Sequence, residues 1–421
     1  MKKNTNKQKF SLRTLFQNIF ISSDLFVANT LSQNASSCAF GFLFSLLPVI
    51  LMILMILTRI LHTNQDILTT FYPYLSNIIS KEQFETITST LLDIKKIGIF
   101  EVITVLVIFW ISRRFFVNVM QGFHKIFRNQ TNRKNLFFTL GGFLGEVILI
   151  IGVSVITALV VTITPFFRTN HFFVIFPELE TRLFQILVFI MPYALLFLAV
   201  FFTYRFAPGT KPKLRLCFWA SLSTTGVFFV VQKILKIFLN ISRYNLIYGV
   251  LSNLIVLLLE VHIFFQIFLF FAQYIYVSQF FETLLLGELY LLPKKEDPAF
   301  FARIKRFLFI KPSKLINKIE NVVHIKKDEK IYEMGSFGTD VYYIVSGIAE
   351  ITKKNRMDFA EPGSFIGEVS AFLDIPREAT VIAKTDLQLI RIKEDVFQDL
   401  LKSNPEVTMR LLENVSKVDL K

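Results

Sequence analysis

Long runs of apolar residues alternate with short polar stretches over the first two thirds of the chain. A bilayer core of about 30 Å requires roughly 20 mostly apolar residues per helix, because backbone groups facing hydrocarbon must be hydrogen-bonded within the segment. Six runs meet this length, and we predict six transmembrane helices. The runs are Ala35–Leu61, Ile97–Val119, Leu140–Pro165, Leu183–Tyr204, Leu216–Leu239 and Ile247–Val277.

Amphipathic sequence flanks these runs. The segment from Phe10 to Phe26 combines apolar residues at helical spacing with basic residues, which predicts a helix lying along the inner interface or packed on the bundle. The segment from Asn64 to Lys96 has a similar pattern, and we expect helices on the external face. Residues 1–34 are polar or amphipathic and no small-residue cleavage site follows promptly, so we expect no cleaved signal peptide.

The hydrophobic pattern changes after Pro293. Short β-rich runs alternate with Gly turns, at 331–332, 341–345, 348–352, 364–366, 379–383 and 387–392. This spacing predicts an antiparallel β-roll, and helical patterns follow it at 394–402 and 406–417. The predicted fold is therefore an α-helical polytopic membrane bundle of six transmembrane helices plus a C-terminal β-roll (jelly roll) with flanking helices. The predicted parts are a cytoplasmic amphipathic segment at 1–34, a membrane domain at 35–282, a linker at 283–311 and a C-terminal domain at 312–421.

Composition agrees with this division. Hydrophobic residues make up 53% of the 421 residues and the mean hydropathy is +0.53, more than one water-soluble core requires. Cys38 and Cys217 are the only cysteines, and both lie in or beside apolar runs. We therefore expect neither a disulfide framework nor a metal site.

Basic residues indicate the orientation of the chain. The net charge of +14 is spread over short Lys and Arg clusters beside the apolar runs, without the aromatic-interleaved stripe of a nucleic-acid surface. Fifteen of these residues lie on the side of the N-terminus and seven on the opposite side. Because Lys and Arg are retained in short cytoplasmic loops, we predict cytoplasmic N and C termini, the lipid bilayer as a partner, and no nucleic acid.

Local patterns in the membrane part resemble a known family. The first run reads Ala39-Phe-Gly-Phe-Leu-Phe-Ser-Leu-Leu-Pro48, the second contains Trp110, and the last begins Tyr244-Asn-Leu-Ile-Tyr-Gly249. Over residues 10–282 the chain is similar to the YihY/BrkB membrane proteins, once mislabelled as ribonuclease BN. The resemblance implies a six-helix fold of the bacterial inner membrane and transport of a small molecule or lipid. The family commonly ends its last span with Gly-Ala-Glu, whereas this chain has Phe271-Ala272-Gln273.

Ionisable residues within the apolar runs are candidates for a polar pathway, because they are costly in lipid. Glu146 follows three glycines that permit close helix approach, and Glu260 lies in the last run. His262 is two residues from Glu260 and therefore lies on a nearly opposite helix face. Lys233 and Lys236 share a face, where they serve a function or extend to the external interface.

Three segments of the C-terminal domain resemble the cyclic-nucleotide-binding domain. They are Asp340-Val-Tyr-Tyr-Ile-Val-Ser-Gly347, Phe365-Ile-Gly-Glu-Val-Ser-Ala371 and Pro376-Arg-Glu-Ala-Thr-Val381. The pattern is similar to the cyclic-AMP-dependent kinase regulatory subunit and to bacterial catabolite activator domains. It implies a site for cyclic AMP or cyclic GMP and no required cofactor. The implied site residues are Gly367, Glu368, Val369, Ser370, Arg377, Glu378 and Ala379.

The residue types suit this ligand. Gly367 lets backbone N–H groups approach a phosphate, Glu368 can accept a hydrogen bond from the ribose 2′-OH, and Arg377 can pair with the exocyclic phosphate. Alternatively, Glu368 and Arg377 pair with each other in a domain without ligand. Glu378 occupies a position where the family generally has Ser, Thr or Ala. Its carboxylate either turns to solvent or turns inward and binds Arg377 in place of the phosphate.

Three function classes follow from these patterns. The first is a transporter or permease regulated by a cyclic nucleotide. The second is a membrane scaffold whose C-terminal domain binds no nucleotide and serves assembly or docking, with homo-oligomerisation left open. The third, an enzyme, is disfavoured because no catalytic residues, metal-ligand spacing or P-loop are apparent. A cyclic-nucleotide-gated cation channel is also disfavoured, because no Arg-rich sensor helix or selectivity filter is visible.

Overall fold

The computed structural model describes residues 12–59, 82, 85, 86, 89, 115–127, 177–238, 250–293, 298–312, 321–353 and 356–416. The chain forms two compact units, one of residues 24–276 and the other of residues 1–23 together with 277–421. The predicted span at 140–165, most of the span at 97–119 and most of the external segment at 64–96 lie outside the described residues. The number of six spans therefore stays a prediction.

The first unit contains long apolar helices. Its helices are α1 Leu12–Ala28 in part, α2 Leu31–Arg59, α3 at 115–126, α4 Pro177–Phe206, α5 Leu214–Phe238 and α6 Val250–Gln279. Among the described residues, Leu214–Phe238 and Ile255–Gln279 are long and apolar enough to cross a membrane. Large side chains of α5 such as Trp219, Val230 and Ile237 are exposed, as expected of a surface that faces lipid.

The core of this unit is aromatic and contains a buried polar junction. The hydroxyl of Tyr204 on α4 donates to the backbone oxygen of Phe268 on α6 at 2.8 Å and lies 2.8 Å from Thr224 Oγ1 on α5. The Tyr204 ring stacks on Phe268 and lies beside Phe123 of α3. Four helices therefore meet at one fully buried tyrosine.

The second unit contains two four-stranded antiparallel sheets. In chain order the strands are β1 Val322–Ile325, β2 Lys330–Tyr332, β3 Val341–Ser346, β4 Ala349–Lys353, β5 Arg356–Ala360, β6 Phe365–Ile366, β7 Thr380–Ala383 and β8 Leu387–Ile392. One sheet has the order β1-β8-β3-β6 and the other β2-β7-β4-β5. Buried apolar residues of both sheets, including Ile344, Val381 and Leu389, form one core. The predicted β-roll is confirmed.

Five helices accompany these strands among the described residues. They are α7 Phe281–Tyr290, α8 Phe300–Phe309, α9 Glu368–Leu373, α10 Glu394–Ser403 and, directly after it, α11 Pro405–Ser416, the last two forming a pair. The sequence predicts a linker over 283–311, and the structure places α7 and α8 there. Tyr290 of α7 packs on Phe365 with ring centroids 4.9 Å apart, and Arg410 of α11 donates to the backbone oxygen of Leu292. The predicted linker is therefore packed against the roll.

The start of α1 belongs to the same unit as the roll. Arg13 donates to the backbone oxygens of Phe307 at 2.7 Å and Leu308 at 3.0 Å, and Gln17 donates to Leu308 at 2.9 Å. These bonds satisfy carbonyls of the last turn of α8, which lack partners within their own helix. The polar side of this segment, with Arg13 and Gln17, therefore packs against the end of α8.

The turn between β3 and β4 requires glycine. Gly347 has φ +90°, and a Cβ there would lie against the backbone oxygen of Asp386. Gly335 has φ +84° with open space around it. A side chain costs about 1–2 kcal/mol in the left-handed region, and overpacking costs about 1–3 kcal/mol more.

We therefore expect Gly347→Ala to destabilise the roll by about 3 kcal/mol and Gly335→Ala by about 1 kcal/mol. Limited proteolysis of the detergent-solubilised full chain measures the difference as faster cleavage within the roll. Equal cleavage rates for the two variants would show that the contact with Asp386 does not limit this turn.

Candidate functional site

The first part of the site is the short segment that joins β6 to α9. Gly367 has φ +81° and is the N-cap residue of α9. A Cβ at this position would collide with the Arg377 guanidinium. Glycine is therefore required both by the backbone conformation and by the proximity of Arg377.

Arg377 is buried, with 4% of its surface exposed. Its Nη1 donates to the backbone oxygen of Gly367 at 2.8 Å and to Ser370 Oγ at 2.9 Å, and its Nη2 donates to the backbone oxygen of Asp340 at 2.6 Å. The guanidinium carbon lies 4.5 Å from the ring centroid of Tyr332, a cation–π distance. Nε is buried and has no hydrogen-bond partner among the described residues.

The groups that contact the Arg377 guanidinium are therefore all neutral: two backbone oxygens, one hydroxyl and one aromatic ring. None of the ion pairs between described residues involves Arg377. A buried cation without a carboxylate partner carries a large desolvation cost that an anionic ligand would offset. The loop before β3 fixes its backbone, because Arg377 N donates to Ser336 and Gly335 N donates to the Arg377 carbonyl.

Glu368 begins α9 and is half-buried. The pKa of its carboxyl is raised to about 7, mainly by burial, and the nearby charge of Glu378 acts in the same direction. Its backbone N–H, Lys353 and Arg377 act in the opposite direction. Glu368 and Arg377 form no ion pair in the described structure, so the predicted alternative of a direct pair is absent here.

Glu378 turns away from Arg377. Its Oε2 lies 3.7 Å from Lys353 Nζ of β4, and both side chains are partly exposed. This ion pair leaves the guanidinium of Arg377 without a competing carboxylate. Of the remaining predicted residues, Ser370 and Ala379 are buried and Val369 is half-buried.

Two contributors to the site were missed by the sequence analysis. They are the Tyr332 ring that stacks on Arg377 and the Asp340 carbonyl that accepts from it. Asp340 begins the segment Asp340–Gly347, but it accepts through its backbone oxygen, so its side chain gives no signal of this role. Tyr332 lies 45 residues before Arg377 in β2, and no spacing rule links the two.

The intramembrane candidates form two separate groups. Tyr193 donates to Gln232 Oε1 at 2.8 Å, and Gln232 donates to Glu260 Oε2 at 3.5 Å, joining α4, α5 and α6. His262 instead lies 3.5 Å from Ser36 of α2. Glu260 and His262 thus face different helices, as their spacing predicts. Glu146 lies outside the described residues.

Buried Gln273 stands in the position where the family has Glu. It accepts a hydrogen bond from Asn29 at 3.3 Å, and its Nε2 has no partner among the described residues.

Several known proteins are similar to the C-terminal part. A cAMP-dependent protein kinase regulatory subunit from Yarrowia lipolytica is 41% identical over 70 residues, 16% of this chain and 19% of that protein. A cyclic nucleotide-gated potassium channel from Mesorhizobium japonicum is 32% identical over 77 residues, 18% of this chain and 21% of that one. The chain thus spans about a fifth of the length of these relatives.

One similar solved structure is the regulatory domain of Toxoplasma gondii PKA with cAMP. It is 22% identical, covers 23% of this chain and 39% of that chain, and has a TM-score of 0.21.

Family models account for both parts of the chain. The model for a cyclic nucleotide-binding domain matches residues 322–404, which contain the site around Arg377. The model described as virulence factor BrkB matches residues 23–280, more than half of the chain and the part with the long apolar helices. The protein therefore belongs to the BrkB family of membrane proteins and carries a C-terminal cyclic nucleotide-binding domain.

Proposed function

We propose that this protein is a transporter or permease of the bacterial inner membrane whose activity is regulated by a cyclic nucleotide. In this proposal both termini are cytoplasmic, cyclic AMP or cyclic GMP binds the C-terminal domain, and no catalytic step or required cofactor is involved. The observation that carries the proposal is the buried guanidinium of Arg377, which lies beside a glycine turn and has no carboxylate partner.

The site suits a phosphate and a ribose together. An exocyclic phosphate would take hydrogen bonds from Arg377 and from the backbone beside Gly367, and Glu368 would accept from the 2′-OH. The relatives named as cAMP-dependent kinase regulatory subunits support this class of ligand, because they match the part of the chain that contains these residues.

Regulation requires a connection between the site and the membrane helices. α7 begins two residues after the end of α6, and its Tyr290 contacts Phe365, which is two residues before Gly367. The Tyr290 hydroxyl also accepts from Asn414 of α11 at 3.4 Å. A ligand that shifts α9 or α11 would therefore displace the helix that continues the last apolar span.

A second candidate function is a membrane scaffold whose domain binds no nucleotide. Glu378 favours it, because a carboxylate next to the phosphate position repels an anion. The Lys353–Glu378 ion pair argues for ligand binding instead, since it offsets that charge.

Arg377→Ala should abolish nucleotide binding, because it removes the cation that faces the phosphate. Arg391→Ala is the matched control, since Arg391 is more exposed and pairs with the Asp340 carboxylate at 3.4 Å. Calorimetric titration of the full chain in detergent with cyclic AMP and cyclic GMP measures both. Wild-type affinity in Arg377→Ala would refute the phosphate assignment, and no binding to a folded wild-type protein would favour the scaffold.

The pKa of Glu368 predicts a pH dependence of binding. Only the ionised carboxylate is a full acceptor, so affinity should fall about tenfold between pH 8 and pH 6 if the pKa is about 7. Glu368→Gln should bind more weakly and show no such dependence. If wild type and Glu368→Gln had parallel pH profiles, another group would be responsible.

The raised pKa of Glu368 also affects the stability of the ligand-free roll. Higher pH strengthens nucleotide binding but lowers this stability. The folded state binds more protons than the unfolded state between pH 4.5 and about 7. Glu368 therefore destabilises the roll progressively as pH rises through this window, and Glu368→Gln should remove that slope. Thermal unfolding of the wild type and of Glu368→Gln at pH 5 and pH 8 measures this pH dependence of stability.

Tyr290→Leu should separate nucleotide binding from the effect of the nucleotide on α7. The variant keeps Arg377 and Glu368, so affinity should change by less than about threefold, because the lost contacts, the ring pair with Phe365 and the hydrogen bond from Asn414, involve neither of these residues. The effect of cyclic nucleotide on hydrogen exchange in α7 should be lost. Phe359→Leu, at an exposed position of β5, is the control and should retain the effect. A full nucleotide response in Tyr290→Leu would place the connection elsewhere.

A further inference from the structure

Helix α8 has an unusual surface for a short helix beside a soluble domain. Phe300, Phe301, Ile304 and Phe307 lie along one side of the helix and are 71%, 75%, 37% and 81% exposed. Their spacing of i, i+1, i+4 and i+7 forms a continuous stripe, which we call the α8 apolar face. The opposite side is anchored, since Phe309 is fully buried.

The charge of this helix is entirely basic. The sequence of α8 is Phe-Phe-Ala-Arg-Ile-Lys-Arg-Phe-Leu-Phe, which contains three basic residues and no acidic one. Arg306 donates to the backbone oxygens of Pro293 and Pro362, and Lys305 pairs with Glu288 at 2.6 Å. Arg303 and Lys311, in contrast, are exposed. Large apolar side chains flanked by exposed cations are complementary to an anionic bilayer surface.

The position of α8 in the chain supports the same partner. The end of α6, Val277–Gln279, belongs to the same compact unit as α8. Since α6 contains a segment long and apolar enough to cross a membrane, its end lies near a bilayer surface. Only 20 residues separate Gln279 from Phe300, ten of them in α7.

The neighbouring helix α1 carries a second exposed apolar stripe. Leu12 and Phe16 are 70% and 58% exposed. The hydrogen bonds from Arg13 to the end of α8 attach this segment to the same surface of the unit.

We propose that the α8 apolar face inserts into the interfacial region of the inner leaflet and that Arg303 and Lys311 contact anionic lipid headgroups. The face anchors the nucleotide-binding unit to the membrane. This assignment is independent of nucleotide binding, so either proposal can fail without the other.

The experiment places a fluorescent probe on single introduced cysteines of the full chain, in vesicles of equal parts phosphatidylcholine and phosphatidylglycerol. The probe positions are Phe301→Cys and Phe307→Cys, with Phe337→Cys as the control because Phe337 is 83% exposed on the roll. The native residues Cys38 and Cys217 are fully buried, and the labelled wild type serves as the blank. A nitroxide lipid with its spin label near the headgroup acts as the quencher.

We expect quenching at positions 301 and 307 to be several-fold stronger than at 337, since an interfacial helix lies about 5–10 Å within the headgroup and acyl boundary. Vesicles of phosphatidylcholine alone, or the double variant Arg303→Glu and Lys311→Glu, should reduce that quenching. Quenching at 301 and 307 no stronger than at 337 would overturn the proposal. Disulfide dimers of Phe307→Cys without quenching would overturn it in favour of a second copy of the chain. Equal quenching in both lipid compositions would overturn the assignment of anionic headgroups.

Discussion

The second compact unit, which carries the cyclic nucleotide-binding domain, is organised around the burial of one guanidinium. Removing a cation from water costs several kcal/mol even after relaxation, and Arg377 is almost completely buried. Charge-assisted bonds to two backbone carbonyls and one hydroxyl, together with the Tyr332 ring, offset that cost. These partners come from β2, from the loop before β3, from the β6–α9 turn and from α9 itself. One side chain therefore holds together the segments that a ligand would contact.

This arrangement also explains how a ligand could change the structure. Nη1 and Nη2 are already engaged by the carbonyls of Gly367 and Asp340, whereas Nε lacks a partner among the described residues. An anion that approaches the guanidinium would compete with those carbonyls. A carbonyl displaced from the guanidinium by the anion would need a new hydrogen-bond donor. The β6–α9 turn, which carries the Gly367 carbonyl, would therefore shift. Binding of an anion would thus be coupled to a local rearrangement through the same hydrogen bonds.

Much of the fold could be predicted because its signals are local. α5 could be predicted because it is a continuous run of mostly apolar residues. The predicted range 216–239 differs by two residues or fewer at either end from the observed helix Leu214–Phe238. β8 was predicted at its observed bounds because its apolar residues are nearly continuous. β5 was missed because it follows the polar stretch Lys353-Lys-Asn-Arg356 and contains only two large apolar residues, Met357 and Phe359, both of which are exposed. α7 and α8 lie in the range predicted as a linker, because the prolines and charged residues around Pro293 and Pro298 indicate breaks in helical structure.

The site shows the same limit. Glu368 and Arg377 were identified through a motif with fixed spacing, whereas the direction of Glu378 depends on Lys353, which is 25 residues away on β4. The sequence left two directions open for Glu378, and only the register of β4 beside β7 brings Lys353 close enough to decide between them. Strand pairing determines which residues distant in sequence become neighbours in a sheet, and the residue types alone do not reveal that pairing.

The packing of α7 connects the roll to Val277–Gln279, the end of the last apolar helix within the same unit. Tyr290 touches Phe365 in front of the site, and Gly287 lies so close to Asn404 that a Cβ there would be 2.8 Å from its side-chain nitrogen. α7 is therefore fixed between β6 and the α10–α11 pair. Since α7 follows α6 after a single residue, it has little slack to absorb a movement of the roll. A displacement at Gly367 would reach the end of the last apolar helix through one aromatic contact and one short helix.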